Sequence, residues 1–163
     1  VGRPDRRVSD PARTRRTAEA YVAALNSGDP EAIAARVSED FHNEHTSALG
    51  RSLRGRTAYR ERLPGFLAEF EGLRYAVEEL LVDGDRAAIA YTMTFRLRGS
   101  AAAEPVLIRG VFRLRMVGDL IAHRVDYWDG AEFERQTAGA GAGVATTAAE
   151  AGDGIDADLD KNR

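Results

Sequence analysis

A chain of 163 residues, 44% of them hydrophobic, can bury one sizeable core, and about one domain fits that length. Its 23 Lys and Arg stand against 26 Asp and Glu, so the net charge of −3 excludes a general attraction to nucleic acid or to an anionic membrane. The lack of cysteine excludes disulfides, thiolate nucleophiles and cysteine-held metals.

Charge is distributed unevenly. Residues 1–16 carry six Arg and two Asp, whereas residues 138–163 carry five carboxylates against Lys161 and Arg163. Neither end has a periodic apolar face, so residues 1–13 are expected to be a disordered basic tail and residues 137–163 a disordered Ala/Gly-rich acidic tail, around one domain at 14–136. Arg3, Arg6 and Arg7 precede no apolar segment, and no run approaches the roughly 18 apolar residues of a membrane span. A soluble, cytoplasmic protein is expected.

Asp10-Pro11 has the form of a helix start, and Ala18, Tyr21, Val22 and Leu25 share one face of the helix that follows. Gly28 ends it, and Asp29-Pro30 starts a second, short helix predicted to run through Ile33 and Val37. Tyr59, Leu63, Phe66, Leu67 and Phe70 predict a third helix after Gly55, which Pro64 is expected to kink or split. Beyond Gly72 the period becomes two. Strands are predicted at Leu73–Val82, Arg86–Arg98, Val106–Val117 and Leu120–Asp129, with Asp83-Gly84 as a type I′ hairpin signal and Gly118-Asp119 as a second tight turn. Helices followed by an antiparallel meander predict an α+β domain whose N-terminal helices pack on a curved, mostly antiparallel sheet around one pocket.

The segment from Tyr21 to Asp29, then Gly55-Arg56, Asp83-Gly84-Asp85 and the ending Val125-Asp126-Tyr127-Trp128-Asp129 resemble the nuclear transport factor 2-like superfamily, and within it the SnoaL-like polyketide cyclases. The resemblance spans roughly residues 14–136 and implies the cone-shaped, cystatin-like α+β roll. Tyr21 matches the oxyanion-hole tyrosine of ketosteroid isomerases, while the positions of their catalytic aspartate and second oxyanion donor fall on His45 and near Gly110. Asp126 matches the water-activating carboxylate of limonene epoxide hydrolases, and Asn43 lies near their asparagine. The Arg and Asp those enzymes use on the middle strand have no counterpart among Tyr91, Thr92, Met93 and Thr94.

Proton removal beside a carbonyl needs a base near neutral pKa and a donor for the oxygen that becomes negative. Histidine titrates in that range, so His45 and Asp126 are the catalytic candidates. Strand parity puts Arg124, Asp126 and Trp128 on one face of the last strand, and His123, Val125 and Tyr127 on the other. The plain structural role for Asp126 is an ion pair with Arg124 or Arg109. Tyr21, Asn43, Tyr59, Phe66, Tyr91, Phe112 and Trp128 are the candidate substrate-binding residues, with core packing the ordinary role of the aromatic ones.

His42, Glu44 and His45 raise the question of a metal, but the only further histidine, His123, is expected to face away, so no metal and no cofactor are expected. Arg109, Arg113 and Arg115 share a strand face without interleaved aromatics, the pattern of a solvated or dimer-facing sheet rather than a nucleic-acid surface. The function expected is a cofactor-independent acid/base enzyme that cyclises or isomerises a hydrophobic, oxygenated small molecule. A non-catalytic small-molecule binding or dimerisation module, and an epoxide or lactone hydrolase, are the other readings. A homodimer formed through the open face of the sheet is expected, with no nucleic-acid or membrane partner.

Overall fold

Asp10 caps the first helix: its side chain accepts from the amide of Ala12, and α1 runs Pro11–Ser27, so helix begins three residues before the expected domain start. In this computed structural model, residues 10–100 and 104–138 are described. The outer parts of both expected tails, residues 1–9 and 139–163, lie outside them. Asp29 caps α2 (Pro30–Ala34) in the same way. This helix stops short of Val37, which opens strand β1 (Val37–His45) with its side chain fully buried. A two-residue strand, β2 (Leu53–Arg54), precedes α3 (Arg56–Glu69).

Pro64 lies inside α3 without splitting it. Both Pro64 and Arg60, whose carbonyl loses its helical donor, are exposed, so water can satisfy the freed acceptor. Four long strands follow: β3 (Phe70–Asp83), β4 (Arg86–Leu97), β5 (Val106–Val117) and β6 (Leu120–Trp128). Asp83 still belongs to β3, paired with Arg86, and the hairpin loop is Gly84-Asp85. Only its glycine has positive φ, 60°, as in a type II′ turn rather than the expected I′ form. A last helix, α4 (Gly130–Thr137), was not expected; Asp129 caps it through the amides of Ala131 and Glu132.

The six strands form one curved, unclosed sheet in the order β2-β1-β6-β5-β4-β3. Every pairing is antiparallel except β1 with β6, which is parallel. The helices bury the inner face, as the α+β expectation required. Along β5 the alternation is strict: Val106, Ile108, Phe112, Leu114 and Met116 are buried, while Leu107, Arg109, Val111, Arg113 and Arg115 are exposed. Fully burying a side chain such as Phe112 stabilises the fold by roughly 1.5–3 kcal/mol.

The main core gathers Tyr21, Ile33, Phe41, Tyr59, Ile89, Tyr91 and Phe112 between α1–α3 and the sheet. A smaller core of Phe95, Leu97, Val106 and Ile108 lies under Phe70, Trp128 and Phe133. No helix among the described residues is long and apolar enough to cross a membrane.

Candidate functional site

Parallel pairing of β1 and β6 sets Asn43 opposite Arg124 and His45 opposite Asp126. Residues two apart on a strand share a face, so these four and Trp128 all turn toward the helices. Asn43, Arg124 and Asp126 are 3%, 6% and 6% exposed, which means that a charge, a carboxyl and an amide share one buried patch. Such groups are tolerated only where partners surround them.

Arg124 is the centre of that patch. Its Nε donates to Asn43 Oδ1 at 2.9 Å and its Nη1 to Tyr21 Oη at 2.5 Å, and the Tyr21 and Tyr59 hydroxyls share a 2.8 Å hydrogen bond. The guanidinium also lies over Phe112, Tyr21 and Tyr59, 5.0, 5.8 and 5.9 Å from the ring centres. Burial works against its charge, but Tyr21, Tyr59 and Asp126 outweigh burial and raise its pKa, so it stays a cation. Tyr21 is pushed well above the usual phenol range by burial, against the pull of Arg124, and stays protonated.

Because Arg124 occupies the Asn43 carbonyl oxygen, the amide turns its NH2 toward His45 Nε2, 3.3 Å away. Trp128 Nε1 approaches His45 Nδ1 at 3.4 Å. Donors therefore face both ring nitrogens, a setting that favours the neutral imidazole. Burial first, then the charges of Arg124 and Arg62, lower the His45 pKa to about 3. This corrects the expectation of a histidine poised near neutrality: burial, reinforced by the cation at position 124, keeps the ring neutral.

Asp126 behaves oppositely. Burial raises its pKa, while Arg124 and the hydroxyl of Tyr91, which donates at 2.7 Å, hold the rise back. Its second oxygen lies 3.6 Å from His45 Nδ1. The expected structural ion pairs are not made. Arg124 bonds to Asn43 and Tyr21, and Arg109 pairs with Glu78 at 2.7 Å on the outer face.

Of the sequence candidates, Tyr21, Asn43, His45, Tyr59 and Trp128 are joined by hydrogen bonds through Arg124, Tyr91 and Asp126 form a second pair that meets them across 3.6 Å at His45 Nδ1, and Phe112 packs on Tyr91 with ring centres 4.3 Å apart. Phe66 stands outside it, with its ring against Phe70. The Arg124 guanidinium takes the space over the rings of Tyr21, Tyr59 and Phe112, and the Tyr91 ring lies against Phe112. The open space near the group is a cleft of about 320 Å³ lined by Ser47, Leu49, Trp128, Asp129, Ala131 and Glu134, among others. Trp128 is the wall between that cleft and His45.

The loop 46–52 covers the same region. Thr46 donates through its amide and its hydroxyl to the Asp126 carbonyl, each at 3.1 Å, and Ser52 Oγ accepts from the His45 amide at 3.0 Å. A Cβ on Gly50 would lie 2.3 Å from that of His45, so only glycine lets this loop press on the ring.

Arg124 is the residue whose role the sequence reading missed, although a charged residue sharing a strand face with Asp126 and Trp128 was visible. Residues with metal-ligand character cluster elsewhere. His42, Glu44 and His123 meet on the outer face, and His45 is not among them because neighbours along β1 alternate between faces.

The comparisons agree on the framework. No curated protein sequence matches the chain. Solved structures that share its fold include a protein of Shewanella denitrificans OS-217 described as a SnoaL-like polyketide cyclase (16% identity, 77% of this chain and 96% of that one, TM-score 0.69); a protein of Catenulispora acidiphila with a ketosteroid isomerase-like fold, in complex with trimethylamine (20%, 75% and 92%, 0.68); and an LEH-like epoxide hydrolase of M. tuberculosis (18%, 78% and 92%, 0.66). At these identities the likeness is one of fold. Residues 18–124, from the first buried alanine of α1 to the buried arginine of β6, match the SnoaL-like domain, and the chain belongs to that family of the nuclear transport factor 2-like superfamily.

Proposed function

We propose that the chain is an enzyme that moves a proton at a carbon of a hydrophobic, oxygenated substrate, leading to cyclisation or isomerisation without the help of a cofactor. The observation that carries this reading is the opposition of Asp126 to the Arg124–Tyr21–Tyr59 group inside one buried patch. A carboxylate whose pKa is raised by burial is a stronger base than a free one. The Tyr21 and Tyr59 hydroxyls beside a fixed cation suit an oxygen that turns enolate-like as the proton leaves. His45, held neutral, positions Asp126, which takes the proton from one carbon and returns it to the product, and substrate reaches the group from the cleft at Trp128. Both carboxyl and imidazole face inward, which favours catalysis over a merely binding module.

Solvent-deuterium exchange tests this, followed by NMR on a panel of hydrophobic 1,3-diketones and β-keto esters. Exchange at the carbon between the carbonyls is expected with the native chain, to fall at least a hundredfold in Asp126→Asn and to weaken in His45→Ala, with folding checked by circular dichroism. Exchange undiminished in both variants would sink the assignment.

One observation favours a second reading, addition of water to an epoxide or lactone. Arg124 brings a guanidinium to Asn43 and the vicinity of Asp126 from β6, although Tyr91, Thr92, Met93 and Thr94 of β4 offer none. Oxygen from labelled water appearing in product separates the two reactions. We also propose that two copies pair through the outer face of the sheet, where Leu81, Leu107, Val111 and Tyr127 are exposed; sedimentation of the full chain at a monomer mass would refute it.

A further inference from the structure

The outer face of β1 and β6 carries a second constellation, directly behind the first. His42 and Glu44 project outward from β1, and His123 lies opposite His42 in the parallel register. His123 Nε2 is 3.0 Å from Glu44 Oε2, the His42 and His123 rings stack with centroids 4.6 Å apart and planes 9° apart, and one ligand atom from each of the three lies within 4.8 Å of the others. We propose that His42, Glu44 and His123 bind a divalent transition-metal ion of the zinc type, with the remaining coordination position open to solvent.

Two imidazoles and one carboxylate form a borderline N,N,O donor set that suits zinc and its neighbours better than magnesium or calcium. The ligands stand on two strands hydrogen-bonded to each other, so the backbone need not move to assemble them. Bonds of about 2.1 Å in tetrahedral array place ligand atoms about 3.4 Å apart. The stacked rings must therefore fan apart, and ligand atoms that now lie within 4.8 Å of one another must close by up to about 1.4 Å. Rotations of half-buried side chains supply both motions.

Electrostatics limits the affinity. Arg54 stands opposite His42 in β2 and Arg115 opposite His123 in β5, and both repel a cation; Glu44 offsets part of this. The balance points to micromolar rather than nanomolar binding. A bound ion would tie β1 to β6, the pairing that sets Asn43 against Arg124 and His45 against Asp126 on the inner face. The inference is independent of what reaction those inner residues perform.

Zinc chloride titrated into the tag-free full chain by calorimetry tests it. One ion per chain is expected, with a Kd of about 1–10 μM, and the thermal midpoint should rise with added zinc. His42→Ala and His123→Ala should each weaken binding at least tenfold. His45→Gln, which alters the last of the chain's three histidines, should leave it unchanged. Cobalt(II) gives a readout on the native chain, through visible d–d bands of a four- or five-coordinate site. No heat and no cobalt bands at about 0.1 mM metal, binding kept in both alanine variants, or binding lost in His45→Gln would each overturn the site and leave the cluster as a His–Glu pair that pins two strands.

Discussion

Gly110 and Tyr91 face each other in register across β5 and β4, and the tyrosine hydroxyl fills the space a side chain at 110 would need. A Cβ there would lie 2.4 Å from Tyr91 Oη and 2.8 Å from the Tyr127 carbonyl oxygen. The position near which the isomerase spacing puts a second oxyanion donor is thus empty of side chain so that Tyr91 can reach Asp126.

Gly110→Ala should therefore destabilise the fold by about 1–3 kcal/mol, the usual cost of overpacking, because backbone and a ring held on both sides must give way together. Urea unfolding measures it, and an unchanged midpoint would contradict the close approach.

Tyr91→Phe removes the hydroxyl that lowers the Asp126 pKa and keeps the ring on Phe112. The Asp126 pKa should rise further. The acid limb of a pH–rate profile governed by this carboxylate should move to higher pH, and stability should fall by about 1.5–3 kcal/mol for loss of a hydrogen bond to a charged group. An acid limb that stays in place would show that Asp126 is not the group being titrated.

Arg124→Met leaves Asn43 Oδ1 without its buried donor and the Tyr21 hydroxyl with Tyr59 as its remaining partner, and should cost on the order of 3 kcal/mol. Arg124→Lys keeps the charge but not the two-pronged geometry, so it should recover only part of that loss. Chemical denaturation of the two variants beside the native chain gives the order native, Lys, Met.

The His45 pKa of about 3 in the folded chain stands against 6.5 for a free histidine. Between those values the unfolded chain binds the extra proton, so stability attributable to His45 is complete above about pH 6.5 and is lost as pH falls toward 3. Asp126, with its pKa raised, acts in the opposite direction: its contribution is present below the free carboxylate value and is lost as pH rises through its folded pKa. Unfolding free energies measured from pH 7 to pH 4 should decline, and should decline less steeply in His45→Asn.

Long elements with their own punctuation were legible in the sequence. β5 runs Val106–Val117 as read, because its alternation is strict and Gly118-Asp119 closes it. α4 was lost because Asp129 was taken for a strand end, although Asp129 and Glu132 are spaced as a helix start. Parity grouped Arg124, Asp126 and Trp128 on one face, and the family resemblance favoured that face as the inner one. It did not reveal that β1 lies parallel to β6, and that pairing decides which residues meet. The His45 pKa was illegible for the same reason, since Arg124 and Arg62 reach it only in three dimensions.

That pairing also orders events in time. Asn43 and Arg124 are 81 residues apart, and the strands between them form a meander that ends on β6. Contacts of such separation carry a high loop-closure cost until the intervening hairpins have shortened the effective loop. The inner group should accordingly be among the last parts of the chain to assemble, and a nascent chain halted before β6 would hold a helical layer and hairpins but no site.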